Sequence, residues 1–214
     1  MGTSTRIADD AGRYRRSDAI GNSLTRRSLI ALGLGALAAC SNRDDAGSGK
    51  ALVGGPFALT DQDGAPRTEQ SWPGKYLLIY FGYTFCPDVC PIDLQRTAAA
   101  LKILEEQAPA TLDKIQPIFV TIDPERDTPD VMKAYVTAFG PRFVGLTGTV
   151  AQIDAAKKAY RVFSQKRQDA GSSDYLMDHS SVTYLMAPNG DYVTVFGSET
   201  KAQVMADTLK AKVE

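Results

Sequence analysis

Apolar and polar positions alternate in blocks along the chain from residue 57 onward. Two continuous apolar runs, residues 76–81 and 117–122, are too short for ordinary helices and predict strands buried on both faces. A shorter run at residues 143–146 predicts a further strand. Strands of this kind are typical of a sheet that is covered by helices on both sides.

The segments between these strands carry apolar residues three or four positions apart, which is the spacing of one face of a helix. The predicted inward positions are Leu94, Ala98, Leu101 and Ile103 or Leu104 in a first helix, Val131, Tyr135 and Phe139 in a second, and Ile153, Ala156 and Tyr160 in a third. Pro91 fits the first turn of the first helix, where a proline loses no hydrogen bond. A last helix is predicted at residues 199–212.

Two predicted hairpins flank this alternating core. Residues 57–69 contain two short strands around an Asp63-Gly64 turn. Residues 182–186 and 192–196 form the second pair, joined through an Asn-Gly turn. The sequence therefore predicts an α/β protein with a thioredoxin-like fold. Its central sheet is mostly parallel and flanked by helices, with an N-terminal β-hairpin and another β-hairpin near the C-terminus.

The composition is that of an ordinary globular protein. Of the 214 residues, 43% are hydrophobic and 23% are charged, and the formal net charge is -1. Lysine and arginine form no long basic run, which argues against a nucleic-acid partner. The chain has three cysteines and one histidine, so the chemistry open to it is narrow.

The apolar run at residues 29–39 is too short to span a bilayer and fits the central part of a signal peptide. Arg26 and Arg27 precede it, as in a twin-arginine signal, but Sec signals also carry such pairs. The run ends in Leu-Ala-Ala-Cys40, which resembles a bacterial lipobox. A plain signal peptide with an incidental Cys40 is the alternative.

The lipobox interpretation divides the chain into three parts. A signal peptide is predicted at residues 1–39, a lipidated Cys40 with a flexible tether at residues 40–50, and a functional domain at residues 51–214. The domain would then face the periplasm of a bacterial cell envelope, attached to the membrane through Cys40. Disulfides persist in that compartment.

Cys86 and Cys90 follow the predicted strand at residues 76–81, each with a proline directly after it. Sites in open sheets form at the carboxyl ends of strands, so this is the place expected for function. Cys90 is predicted near a helix N-terminus, where the dipole lowers the pKa of a thiol. The pair is interpreted as a metal site, a redox dithiol that forms a Cys86–Cys90 disulfide when oxidised, or a structural pair.

A metal site needs more than two ligands, and His179 is the only histidine of the chain. It precedes the predicted strand at residues 182–186, whose leading loop faces the cysteine loop in a thioredoxin-like sheet. Two thiolates and an imidazole suit copper. Asp178 is a candidate to orient the ring, and Met177 is either a weak ligand or part of the core.

Three segments in order resemble the Sco/SenC family of copper proteins. They are residues 85–91 (FCPDVCP), residues 121–129 (TIDPERDTP) and residues 175–179 (YLMDH) followed by Tyr184-Leu185. The resemblance implies copper held by Cys86, Cys90 and His179. It also implies delivery of copper to the dinuclear CuA centre of cytochrome c oxidase subunit II. Phe85 stands where many members have histidine, and the predicted lipobox replaces a transmembrane anchor.

The aspartates of the second segment have several interpretations. Asp127 and Asp130 are expected to cap the following helix. Asp123 is a candidate for supporting the cysteine loop, as a residue near the metal ligands, or for contacting a partner. Trp72 is expected to pack in the fold.

These observations lead to two main functional hypotheses from different classes and to two weaker ones. The first is a copper chaperone and assembly factor, which is not an enzyme in the strict sense and whose partners include subunit II and another copper chaperone. The second is an exported thiol-disulfide oxidoreductase that reduces cysteines of such a partner and is itself served by a thioredoxin-like reductant. A copper or redox sensor is a third, and a peroxidase a fourth. Only the metal-dependent functions require His179.

Overall fold

The computed structural model describes residues 53–168 and 174–214. The predicted signal peptide at residues 1–39 and the tether at residues 40–50 lie outside the described residues. The strands are β1 (Ala58–Asp61), β2 (Pro66–Thr68), β3 (Tyr76–Gly82), β4 (Ile115–Thr121), β5 (Val144–Thr147), β6 (Ser164–Arg167), β7 (Leu176–His179), β8 (Val182–Met186) and β9 (Tyr192–Gly197). The helices are α1 (Val89–Gln107), α2 (Pro109–Leu112), α3 (Pro129–Thr137), α4 (Val150–Ala159) and α5 (Ala202–Lys212).

Seven strands form one sheet in the order β2-β1-β5-β4-β3-β8-β9. The three central strands β3, β4 and β5 run parallel, as the continuous apolar runs predict. Antiparallel strands lie on both sides, from the β1-β2 hairpin and from the β8-β9 hairpin. The predicted thioredoxin-like α/β fold and both hairpins are confirmed.

Helices cover both faces of this sheet. On one face the ring of Tyr80 stacks with that of Phe119, which in turn contacts Tyr135 of α3. On the other face Phe81 contacts Tyr160, directly after α4. The side chains of adjacent residues in β3 therefore point to opposite faces of the sheet. Because helices cover both faces, the whole run is apolar.

The inward face of α3 differs from the prediction. Met132 and Val136 are the fully buried residues of this helix. Val131, predicted to point inward, is 39% exposed, while Tyr135 is partly buried. The spacing was correct, but the buried stripe begins one residue later, because Met132 and Val136 are the residues that pack against Gly145 of β5.

Strands β6 and β7 form a separate two-stranded sheet that the sequence analysis missed. The four residues of β6 are half-buried or exposed, so this strand carries no apolar pattern. His179 is the last residue of β7 rather than part of a plain loop.

The pairing of the central strands determines where the site lies. Gly82 at the end of β3 is in register with Thr121 at the end of β4, so both carboxyl ends meet at one edge of the sheet. β8 runs antiparallel to β3, with Thr183 opposite Tyr80, and therefore begins at the same edge. The chain that precedes β8 carries His179.

In the described part of the chain, no helix is both long and apolar enough to cross a membrane.

Candidate metal centre

The two cysteines lie at the junction between β3 and α1, and both are buried, reduced thiols. Cys90 is the second residue of α1, and its backbone N–H donates to Sγ of Cys86 at 3.4 Å. The first N–H groups of a helix have no acceptor within the helix. The sulfur of Cys86 supplies one here, while the side chain of Asp88, the N-cap residue, makes no capping hydrogen bond.

These contacts shift the pKa values of the two thiols in opposite directions. A hydrogen bond from the Cys90 thiol, helped by His179 and the helix N–H, lowers the pKa of Cys86 to about 3 despite burial. The same hydrogen bond, together with complete burial, raises the pKa of Cys90. The sequence predicts a lowered pKa for Cys90. This prediction is wrong, because the lowered pKa belongs to Cys86. The sulfur of Cys86 accepts the helix N–H, whereas Cys90 faces the core.

The imidazole of His179 points one nitrogen at the thiols. Nε2 lies 3.2 Å from Sγ of Cys90, and Nδ1 lies 2.9 Å from the carbonyl oxygen of Ser180. A carbonyl can only accept, so Nδ1 carries a proton and donates, and Nε2 is the ring nitrogen that faces the sulfurs. The ring stands edge-on to the rings of Tyr80 and Tyr83, with centroids 6.2 Å and 5.9 Å away.

The structure thus brings together the three residues that the sequence singles out. The two sulfur atoms and a ring nitrogen of His179 lie within 4.8 Å of one another, close enough to hold one metal ion. Two thiolates and an imidazole are soft and borderline ligands, which favour Cu(I) or zinc over hard cations. Three protein ligands leave room for a further ligand from outside.

A tyrosine that the sequence analysis overlooked contacts all parts of this site. Tyr83 is 2% exposed, and its carbonyl oxygen accepts the N–H of Cys86 at 3.3 Å. Its hydroxyl oxygen accepts the N–H of Met177, two residues before His179, at 3.2 Å. The sequence carried one signal for this role: a tyrosine, with its polar hydroxyl, directly follows the carboxyl end of a buried strand.

Asp123 is 1% exposed and supports the strand that carries His179. The hydroxyl of Tyr175, just before β7, donates to Oδ1 of Asp123 at 2.7 Å. Nε of Arg126 donates to Oδ2 at 2.5 Å, and its Nη1 donates to the carbonyl oxygen of Tyr175 at 3.0 Å. The guanidinium also lies 3.7 Å from the centre of the Tyr175 ring. We call Asp123, Arg126 and Tyr175 the clasp.

Asp127 does not cap α3, contrary to the sequence prediction. Thr128 is the N-cap, and its hydroxyl accepts the N–H of Val131. Asp127 is fully buried and accepts hydrogen bonds from the N–H and hydroxyl of Thr84 at 3.1 Å and 2.6 Å. The hydroxyl of Thr121 donates to it at 2.5 Å. Asp127 therefore anchors the loop that leads to the cysteines.

The other predicted residues lie at the edge of the site or away from it. Asp178 is exposed, 3.8 Å from Arg167, and the position beside the ring that was foreseen for it is taken by the carbonyl of Ser180. Met177 is buried in the hydrophobic core. Phe85 is 57% exposed, with its ring against Arg126 at 4.7 Å.

A buried polar pair lies behind Cys90. The hydroxyl of Tyr80 donates to Oδ2 of Asp93 at 3.2 Å, and Nη1 of Arg96 donates to Oδ1 at 2.9 Å. Burial raises the pKa of Asp93 and that of Tyr80. Asp93 stands one turn after Cys90 on the inward face of α1, so a carboxylate at an apolar helix position was a signal in the sequence.

Comparison with known proteins agrees with the site. The family model described as SCO1/SenC matches residues 45–214. The mouse mitochondrial SCO1 homolog is 41% identical over 163 residues, which cover 76% of this chain and 57% of that protein. Protein SenC of Rhodobacter capsulatus is 41% identical over 172 residues, covering 80% of this chain and 75% of SenC. The chain belongs to the SCO1/SenC family.

A solved structure extends the match to the fold. The crystal structure of Arabidopsis thaliana ScoI with copper bound superposes with a TM-score of 0.70 at 38% identity, covering 75% of this chain and 98% of that one. The chain spans about half the length of the first mitochondrial relatives that it matches.

Proposed function

We propose that this protein binds one copper ion through Cys86, Cys90 and His179 and delivers it to the CuA centre of cytochrome c oxidase subunit II. The observation that carries the proposal is the convergence of the three ligand atoms within 4.8 Å. The copper-bound ScoI structure supports the choice of ion. The family resemblance supports the choice of recipient.

Binding and release follow from the chemistry of the ligands. The Cys86 sulfur is already a thiolate, whereas Cys90 gives up its proton when the ion binds. His179 presents the Nε2 lone pair. Because the protein supplies three ligands, a thiolate of the recipient can enter the open position and displace the protein's ligands one after another.

A competition titration tests the site. The reduced protein is titrated with Cu(I) against a chelator of known affinity. We expect one tightly bound copper, weaker binding in His179→Ala, and loss of binding in the Cys86→Ser, Cys90→Ser double variant. Asp178→Ala is the control, because its carboxylate is exposed and should leave the affinity unchanged. Unchanged affinity in His179→Ala would refute the three-ligand site.

Delivery is tested with the apo CuA domain of subunit II as the recipient. Copper-loaded protein should transfer its ion to that domain, as seen in the absorbance of the assembled centre. The double cysteine variant should transfer none. A recipient that gains copper equally fast from the chelator alone would contradict a delivery role.

A second function is the reduction of disulfides in a partner protein. It is favoured by the lowered pKa of Cys86 beside the raised pKa of Cys90. The Cys86 thiolate would attack a substrate disulfide and form a mixed disulfide. Cys90 would then displace the substrate thiol, leaving a Cys86–Cys90 disulfide in the protein and two thiols in the substrate. A thioredoxin-like reductant would reset the pair. This activity should survive in His179→Ala, which separates it from copper delivery.

Attachment to the cell envelope is part of the proposal. The Leu-Ala-Ala-Cys40 sequence supports lipidation, and the short apolar run before it supports export. Mass spectrometry of the protein from a bacterial membrane fraction should find a lipid on Cys40. Cys40→Ser should release the protein from the membrane; if the variant stays attached, the lipid anchor is wrong.

A further inference from the structure

We infer that the hydroxyl of Tyr83 is a positioning group that holds the His179-bearing strand at bonding distance from the cysteines. The inference rests on the proposed copper site and goes beyond its three ligands. It assigns a role to a side chain that touches no metal and acts through the backbone of β7.

The need for a positioning group follows from the topology. Both cysteines are fixed by β3 and α1, which belong to the main body of the fold. His179 lies in β7, and β7 pairs with β6 in a separate two-stranded sheet. Backbone pairing to β6 therefore fixes β7 to another surface strand. The pairing of β8 with β3 brings His179 to the edge of the sheet that carries the cysteines, but neither pairing joins β7 to the cysteine loop.

Tyr83 makes the connection that the sheet lacks. Its hydroxyl accepts the N–H of Met177 in the middle of β7, at 3.2 Å. Its ring lies edge-on to the imidazole of His179 at 5.9 Å. Its own backbone accepts the N–H of Cys86 at 3.3 Å. One residue thus links the histidine strand to the cysteine loop.

Removal of the hydroxyl alone isolates this role. In Tyr83→Phe the ring stays, but the buried N–H of Met177 loses its acceptor. An unsatisfied buried donor is unfavourable, so β7 moves away from the loop and the imidazole leaves its place between the two tyrosine rings. Copper must then bring the strand back, and we expect the affinity to fall about tenfold.

The matched control is Tyr76→Phe. The hydroxyl of Tyr76 also accepts a backbone N–H, that of Glu214, at 3.4 Å. Tyr76 begins β3, whereas the cysteines follow the other end of that strand. Both variants remove a hydroxyl that accepts a backbone N–H, but the bond of Tyr83 is buried beside the site and that of Tyr76 is exposed and remote from it. Tyr76→Phe therefore controls for the loss of a tyrosine hydroxyl as such.

The first readout needs no copper. Because His179 is the sole histidine, its ring signals in an NMR spectrum are unambiguous. In the copper-free reduced protein, we expect ring-current shifts from Tyr80 and Tyr83. In Tyr83→Phe these signals should move toward those of an exposed histidine, and in Tyr76→Phe they should not. Unchanged signals in Tyr83→Phe would overturn the inference.

The second readout is a double-mutant cycle on Cu(I) affinity. Tyr83→Phe should weaken binding when His179 is present and have little effect in the His179→Ala background. An equal loss in both backgrounds would mean that the hydroxyl acts on the thiols, which also overturns the inference. If His179→Ala alone leaves the affinity unchanged, the proposed copper site fails, and the NMR result still tests the positioning of the ring.

Discussion

A methyl group on Gly82 would lie 2.9 Å from Sγ of Cys90, closer than real Cβ atoms approach a neighbour. It would also lie 2.8 Å from the ring of Tyr80 and 2.9 Å from that of Phe119. The glycine at the end of β3 is thus required for space. It lets the buried thiol pack directly against the strand.

We expect Gly82→Ala to displace Cys90 and to destabilise the fold by about 1–3 kcal/mol, because the added methyl group overpacks the core. Cu(I) affinity should fall as well. Thermal unfolding and the chelator titration measure the two effects. Gly197→Ala is the control, since a Cβ there would meet nothing within 4 Å. Equal behaviour of the two variants would contradict the close approach.

The thiolate of Cys86 should be present throughout the neutral pH range in the reduced, copper-free protein. Its folded pKa of about 3 lies far below the ordinary value of 9.0, so thiolate absorbance should persist as the pH falls and vanish only near that lower value. Cys90 should contribute none near neutrality, because its pKa is raised. An ultraviolet titration measures this. Cys86→Ser should abolish the low-pH signal; a signal that first appears in alkaline solution would contradict the assignment.

The clasp should stabilise the start of β7. Tyr175→Phe removes the hydroxyl that donates to Asp123, a hydrogen bond to a charged group that contributes about 1.5–3 kcal/mol. We expect faster amide hydrogen exchange across β7. Tyr76→Phe is the control, because the hydroxyl of Tyr76 accepts an exposed backbone N–H, that of Glu214, at the opposite end of β3 from the site. If the control loosens β7 as much as Tyr175→Phe does, the clasp has no special role.

Asp127 should be essential for the cysteine loop. Asp127→Ala leaves the buried hydroxyl of Thr121 and the partly buried donors of Thr84 without their acceptor, and we expect a loss of about 1–3 kcal/mol in the free energy of unfolding. Chemical denaturation measures it. Asp130→Ala, in the exposed first turn of α3, should have a much smaller effect. A larger loss in Asp130→Ala than in Asp127→Ala would contradict the anchoring role of Asp127.

Much of the fold, and the three residues that converge at the candidate site, could be predicted from the sequence. Apolar runs as short as residues 76–81 can hardly be anything but buried strands, and strand ends indicate where sites form. Cys86 and Cys90 follow such a strand, and the chain offers one histidine. Chemistry alone therefore limited the third ligand to His179 or a weaker donor.

The support of the site could not be predicted in the same way. β6 has half-buried and exposed residues, so its pairing with β7 left no apolar pattern to detect. Asp127 stands next to a helix start and matches a cap, but its partners at Thr84 and Thr121 come from the loop and strand beside it. The acidity of each thiol depended on which sulfur accepts the helix N–H, and spacing alone does not determine that.

Cys90 and His179 are 89 residues apart in the chain, yet their side chains meet at 3.2 Å. The unfolded chain offers copper only the nearby cysteines, because the histidine arrives when β8 has paired with β3 across a long loop. A ligand that binds the native state better than the unfolded one stabilises it by mass action. Coordination by all three residues thus requires the folded domain. A chain in which β8 has not yet paired with β3 should hold copper weakly and lose it to any competing thiol.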